Sequence, residues 1–187
     1  MNIYEVNTMQ TRKLYYEDGY LSRFEGTVLS CTEEQGRWKI ILDATAFYPE
    51  GGGQAGDTGS LGSVRVLDTQ EEGEAVAHFC DGPLQPGSTV AGAVDFERRF
   101  DLMQQHTGEH IVSGIIHEWF GYHNVGFHMG AELVTIDFDG PIPAEELTHI
   151  EREANEAIWQ DVPVECRFVG GEALENQTYR SKKALTG

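Results

Sequence analysis

The chain has 187 residues, enough for one large domain or two small ones with buried cores. Its 31 acidic residues against 13 basic ones leave a net charge of −18, which repels polyanions at long range and excludes bulk, sequence-blind binding of DNA or RNA. There is no run of eighteen apolar residues and no basic-then-apolar leader, so the sequence reads as a cytoplasmic protein without a membrane partner; the three widely spaced cysteines, Cys31, Cys80 and Cys166, read as reduced thiols.

The predicted elements begin with short strands. Apolar alternation marks residues 27–30, 37–42, 63–67 and 75–79, and the turn sequences Glu17-Asp18-Gly19, Gln35-Gly36, Glu72-Gly73 and Asp81-Gly82-Pro83 punctuate them. This spacing fits a small all-β barrel or sandwich over residues 1–92, with no helix of any length. Between the second and third of these strands lies Phe47-Tyr48-Pro49-Glu50-Gly51-Gly52-Gly53-Gln54-Ala55-Gly56-Asp57-Thr58-Gly59. Five glycines between positions 51 and 59 carry an entropic cost, tolerated where backbone bends sharply or approaches a ligand closely. Bare amides there suit phosphate or carboxylate oxygens, and the same residues also suit a plain hairpin loop. The lysine and spacing of a nucleotide-binding loop are missing, so no ATP site is read.

Composition changes near residue 95, where Asp95 is placed to cap a helix running to about Phe120. Met103, Thr107, Ile111 and Ile115 repeat at threes and fours and define its expected stripe. Gly108 and Gly114 each cost a helix about 1 kcal/mol against alanine, which points to close packing or ligand approach. On this helix His106-Thr107-Gly108-Glu109-His110 sets two imidazoles four apart, one above the other, with Cβ atoms roughly 5–6 Å apart. The pair can grip one divalent metal, zinc first, and it can equally be polar surface or a satisfied buried pair.

Residues 132–138 alternate as a strand with Val134, Ile136 and Phe138 on one face. Residues 144–160 form the cleanest amphipathic helix, with Leu147, Ile150, Ala154, Ala157 and Ile158 as its stripe and Glu145-Glu146 in the first turn. Asp161-Val162-Pro163 stops it, and Val164, Cys166 and Phe168 alternate as a further strand. The whole is an α+β chain: a β domain at 1–92, then at 93–187 an α+β sandwich with helices on one side of an antiparallel sheet.

The segment FYPEGGGQAGDTG, followed some fifty residues later by QHTGEH, resembles the AlaX family, similar in turn to the editing domain of alanyl-tRNA synthetase. The order and separation of the motifs, the strand around Ile136 and the terminal Tyr179-Arg180-Ser181-Lys182-Lys183 extend the likeness over most of the chain. The resemblance implies an N-terminal β-barrel joined to an α+β editing domain, and hydrolysis of mischarged aminoacyl-tRNA, Ser- or Gly-tRNA(Ala), without ATP. It assigns His106 and His110 as the first two zinc ligands, one zinc per chain, with a catalytic part for both. It puts Gly51, Gly52, Gly53 and the catalytic Gln54 on the loop over the aminoacyl group. The family completes its metal site with a cysteine and a histidine four apart, whereas Cys166 is followed at that distance by Gly170; a C-terminally shortened form with an incomplete site is therefore expected.

Other residues read less distinctly. His128 is a substrate contact or a satisfied edge histidine; His78, His117, His123 and His149 lack partner spacing; Gln104 and Gln105 orient substrate or sit on the helix surface. Glu109 lies about 100° around the helix from His110, which favours a solvent-facing or structural residue over a general base. Arg12-Lys13, Arg98-Arg99 and Arg180 with Lys182 and Lys183 are the basic clusters, surface charge or a local hold on aminoacylated tRNA. Two rival functions remain: an inverted-zincin metalloprotease, for which His106-x-x-Glu109-His110 supplies the pattern and Glu145, Glu146, Glu151, Glu153 or Glu156 the further carboxylate, and a tRNA-binding module without catalysis. Alanine, serine and glycine differ by a methyl or hydroxyl, so the amino acid removed is not legible.

Overall fold

A computed structural model describes residues 9–130 and 132–165. By their internal contacts the residues divide into two compact units, one ending at Gln104 and the next beginning at Gln105. The first carries β1 (Arg12–Lys13), β2 (Arg23–Glu34), β3 (Arg37–Leu42), β4 (Ala44–Thr45), β5 (Gly59–Leu61), β6 (Val64–Glu72), β7 (Ala75–Cys80) and β8 (Thr89–Val94). Helix α1 (Phe96–Phe120) follows and runs on into the second unit, which adds β9 (Asn124–Met129), β10 (Val134–Phe138) and α2 (Leu147–Trp159).

Six strands of the first unit form one antiparallel sheet, in the order β2-β3-β7-β6-β5-β8, and β8 pairs in turn with β2, so the ladder returns on itself. Two of its three hairpins sit where the sequence places turns. Gln35 and Gly36 join β2 to β3 with φ of +52° and +79°, and Gly73 at +63° leads from β6 toward β7. Positive φ at both central residues matches the right-handed twist of the flanking strands.

The core follows strand alternation. Val64 and Val66 face inward while Arg65 and Leu67 are exposed, and they meet Val28, Ile40, Leu42, Phe47 and Leu61. Strand β7 is buried on both faces, because Ala75 and Ala77 pack with Ile41 in a second, smaller cluster. Its inward face carries a fully buried polar residue, His78. The ring's Nδ1 donates to the Ile40 carbonyl at 3.0 Å, and Nε2 accepts from the Thr45 hydroxyl at 2.8 Å. The Thr45 oxygen accepts in turn from the Phe47 amide at 3.1 Å. Burial drives the imidazole pKa down to about 4, so the folded chain holds a neutral ring.

In the second unit β9 and β10 form an antiparallel hairpin, Met129 opposite Val134. A short 3-10 turn, Ala144–Glu146, leads into α2. Two sequence expectations change here. The buried positions of α1 in this unit are Glu109, Ser113 and Ile116, on the side of the helix opposite the Thr107–Ile111–Ile115 stripe. The periodicity finds the helix but not its buried face, because a hydrogen-bonded Glu and Ser occupy that face in place of apolar residues. On α2, Ile150 and Ala154 are buried, whereas Leu147 and Ile158 are 55% and 56% exposed among the described residues. The strand expected at Val164, Cys166 and Phe168 lies largely outside the described residues; Val164 itself is irregular.

Strands β5, β8 and β9 escape the sequence reading. The first is three residues long, β8 is Thr-Val-Ala-Gly-Ala-Val, and β9 contains a glycine and a histidine. None shows an apolar alternation strong enough to stand out.

Candidate functional site

The glycine-rich segment is a hairpin with a tied base. The Tyr48 amide donates to Asp57 Oδ2 at 2.6 Å, and the Asp57 amide donates to the Tyr48 carbonyl at 2.9 Å. Register in β6 shifts between Val66 and Asp68, and beyond that bulge Thr69 supports the loop from beneath: its carbonyl accepts from the Glu50 amide and its hydroxyl donates to the Asp57 carbonyl, both at 2.9 Å. Gly51 and Gln54 then exchange backbone hydrogen bonds at 3.0 Å in both directions. Between them Gly52 and Gly53 take φ of +61° and +86°, a two-residue turn that bulkier residues resist. Gly56 has a different reason to lack a side chain, since a Cβ there would collide with the Thr69 carbonyl. The amides of Glu50, Gly51, Gln54 and Asp57 are thus committed within the loop, and an anion is left with the tip. Gly51, Gly52 and Gly53 are exposed at that tip, whereas Gln54 is only 8% exposed.

The base is locked by a buried ion pair. Arg99, from the first turn of α1, donates through Nε to Asp57 Oδ2 at 2.8 Å and through Nη2 to the same oxygen and the Ala46 carbonyl, while Nη1 reaches the Gly19 carbonyl at 3.0 Å. Both side chains are at most 3% exposed. Arg98 adds a bond from Nη1 to the Gly56 carbonyl at 3.0 Å. Arg98-Arg99 is therefore a structural clamp and no patch for a polyanion. Arg12 pairs with Glu17 at 2.8 Å and Lys13 with Glu71, so that second cluster is neutralised locally. Arg180, Lys182 and Lys183 lie outside the described residues.

In the second unit α1 presents His106 and His110 on one side, with ring centroids 5.2 Å apart and planes 13° from parallel. The Phe127 ring of β9 packs 5.2 Å from His106. Burial, and next the neighbouring His110 ring, lower the His106 pKa against a smaller upward pull from Glu109. A neutral imidazole at pH 7 offers a lone pair to a metal.

Between the two histidines Glu109 is 5% exposed, which removes the solvent-facing expectation. Its Oε1 accepts from the Ser113 hydroxyl and the Asn124 amide, and its Oε2 lies 3.3 Å from His110 Nδ1. Ligand atoms of His106, Glu109 and His110 all fall within 4.8 Å of one another, the one such grouping of three among the described residues. Two imidazoles with a carboxylate beside them suit a divalent ion of the zinc type. None of Glu145, Glu146, Glu151, Glu153 and Glu156 belongs to it.

Other predicted residues are placed elsewhere. His128 is exposed on β9, and strand alternation turns it to the face opposite Phe127. His117 and His123 meet with ring centroids 5.0 Å apart, but His117 Nδ1 is bonded to the Tyr122 carbonyl and His123 Nδ1 to Asp139, both at 3.0 Å. His149 lies 3.3 Å from Glu146 on the surface. Phe127, Ser113 and Asn124 are the site residues that sequence reasoning missed. Ser113, four residues after Glu109, carries the one signal available, since a helix stacks such positions.

The family described as tRNA synthetases class II (A) matches residues 5–98, about half of the chain. An alanyl-tRNA editing protein, Aarsd1, of Bos taurus is 37% identical over 179 residues, covering 88% of this chain and 40% of that protein. Aarsd1 of Mus musculus is 36% identical over 183 residues, covering 90% and 44%. The alanine–tRNA ligase of Ignicoccus hospitalis is 40% identical over 156 residues, covering 79% of this chain and 17% of the ligase. The chain thus spans less than half the length of these relatives, and among its described residues no helix is long and apolar enough to cross a membrane. With the glycine-rich hairpin inside the matched half and the histidine couple following it, the chain belongs to the class II (A) tRNA synthetase family, as a protein of the AlaX type.

Proposed function

We propose that this chain is a cytoplasmic trans-editing hydrolase that cleaves the ester of mischarged aminoacyl-tRNA, with Ser- or Gly-tRNA(Ala) as substrate and one zinc ion per chain. The six-stranded closed sheet is then the N-terminal barrel of the editing architecture, and the residues from α1 onward belong to its deacylase domain. The observation that carries the reading is the His106–His110 couple, two near-parallel imidazoles with a buried carboxylate within 4.8 Å. The editing proteins and alanine–tRNA ligases among the relatives support the same class of substrate.

His106 and His110 would hold the ion, which when bound supplies Lewis-acid polarisation and a fixed positive charge. The chain's own residues do the rest. His106, kept neutral by burial, donates its lone pair without first losing a proton. Gly51, Gly52 and Gly53, exposed at the hairpin tip, and Gln54 beside them are the residues assigned to the aminoacylated 3′ end, the glycines letting it approach the backbone closely. Glu109 is already engaged by Ser113 and Asn124, which disfavours a peptidase in which it would be the general base.

The test presents the 187-residue chain and its His106→Ala variant with Ser-, Gly- and Ala-tRNA(Ala) and, in parallel, with a peptide panel. Zinc-dependent release of serine or glycine, lost in the variant with the far-ultraviolet spectrum unchanged, is expected. Peptide cleavage without deacylation, or full activity in the variant, would overturn the reading; tRNA binding with neither activity would leave a non-catalytic module.

A further inference from the structure

We infer that Glu109 is a positioning residue: its buried carboxylate fixes the proton of His110 on Nδ1 and so leaves Nε2 as the nitrogen of that ring that would take a metal. The inference rests on the metal reading above and goes past the ligands themselves to what sets the chemical form of one of them.

Glu109 is placed for this and for little else. A glutamate is rarely buried without partners, because removing its charge from water is costly unless hydrogen bonds replace the solvent. Here Oε1 accepts from Ser113, one turn later on the same helix, and from Asn124, the first residue of β9. Two donors on one oxygen hold the carboxylate plane from two elements at once. The second oxygen is left facing His110, 3.3 Å from Nδ1. An anion at that distance favours the tautomer with the proton on Nδ1. It also leaves Nε2 as the basic nitrogen of a side chain that is 69% open to solvent. A carboxylate behind a metal-binding imidazole raises its basicity and restricts its rotation, and losing such a partner costs 10–100-fold in metal affinity. His106 needs no such device: the Phe127 ring packs on it, and burial already keeps it neutral.

The alternative is that Glu109 binds the ion itself. The hydrogen bonds argue against it, since a carboxylate turned to the metal would give up Ser113 and Asn124 or rotate away from His110. Cobalt distinguishes the cases, because its visible spectrum reports the atoms in the coordination sphere.

The experiment uses the full 187-residue chain and Glu109→Gln. First, in the metal-free protein at pH 8, two-bond proton–nitrogen correlations read the His110 tautomer. The Nδ1–H form is expected in the parent and a shift toward Nε2–H in the variant; the same tautomer in both overturns the inference. Second, zinc affinity is measured by competition with a chelating dye. A 10–100-fold loss is expected, and affinities within twofold overturn it. Third, cobalt spectra should share band positions in parent and variant; displaced bands make Glu109 a ligand and overturn the positioning role. If the parent binds no zinc, the metal reading fails, and the tautomer measurement still decides the action of Glu109 on His110. Should Glu109→Gln not fold, Ser113→Ala removes one donor from Oε1. A several-fold loss of zinc affinity with the same tautomer shift is expected there, and no change in either overturns the proposal.

Discussion

Acidification from pH 7.5 to 5.0 should destabilise the first unit through His78, and the cost follows from its burial. An unfolded chain takes up a proton on this ring below its ordinary value of about 6.5. The folded chain does so only below about 4, because burial penalises the imidazolium and both ring nitrogens are committed to neutral partners. Between these values the unfolded state binds more protons, so stability falls as pH falls and the loss is complete below the folded value. At pH 5.0 the interval crossed is about 1.5 pH units, or roughly 2 kcal/mol at about 1.4 kcal/mol per unit. The chain's many carboxylates also titrate toward this range, so the measurement is a difference between the parent and His78→Gln, in which common contributions cancel to first order. Urea unfolding is followed by Trp38 of β3, in a background where the exposed Trp119 and Trp159 are replaced by phenylalanine. The parent should lose about 2 kcal/mol more than the variant between the two pH values. A difference under about 0.5 kcal/mol, or a His78 titration near 6.5 by nuclear magnetic resonance, would refute the argument.

Arg99→Ala strands Asp57 as a buried charge and should lower the stability of the first unit by about 3–5 kcal/mol, read from urea unfolding; a loss under about 1 kcal/mol would mean that water reaches the pair. Gly56→Ala forces a methyl against the Thr69 carbonyl, so the loop must move. Amide exchange at Glu50 and Asp57 should speed up at least tenfold while β2 and β3 keep their protection. Gly108→Ala should raise the melting temperature, worth up to about 1 kcal/mol, because no described atom lies within 4 Å of the new methyl. A fall instead would reveal a neighbour that requires the glycine.

Much of the architecture is legible in the sequence because it repeats. Val64 and Val66 alternate with Arg65, Gln35-Gly36 marks its hairpin, and the helix from residue 96 to 120 announces its length by periodicity. The site is legible only where one helix carries all of it. His106 and His110 are four apart, and their stacking follows from the helix alone. What long-range contacts decide is not readable in this way. Asn124 reaches Glu109 from a strand that itself shows no alternation, and Asp57 captures Arg99 across 42 residues. Arg98-Arg99 looks like exposed charge because nothing local says that a carboxylate waits in the core. Glu109 looks exposed for the same reason: its donors come from a serine on an unexpected helix face and an asparagine beyond the helix.

The tied base of the glycine-rich hairpin separates two selective pressures that many binding loops must satisfy together. Stability resides at Tyr48, Asp57, Thr69 and Arg99, whereas Gly51 to Gly53 project beyond that frame. Lineages, or directed evolution, can therefore vary Gly51, where an added Cβ meets nothing within 4 Å, while the melting behaviour stays put, whereas Gly52 and Gly53 are kept by their positive φ. Libraries confined to position 51 should retain far more folded members than libraries of equal size at position 56.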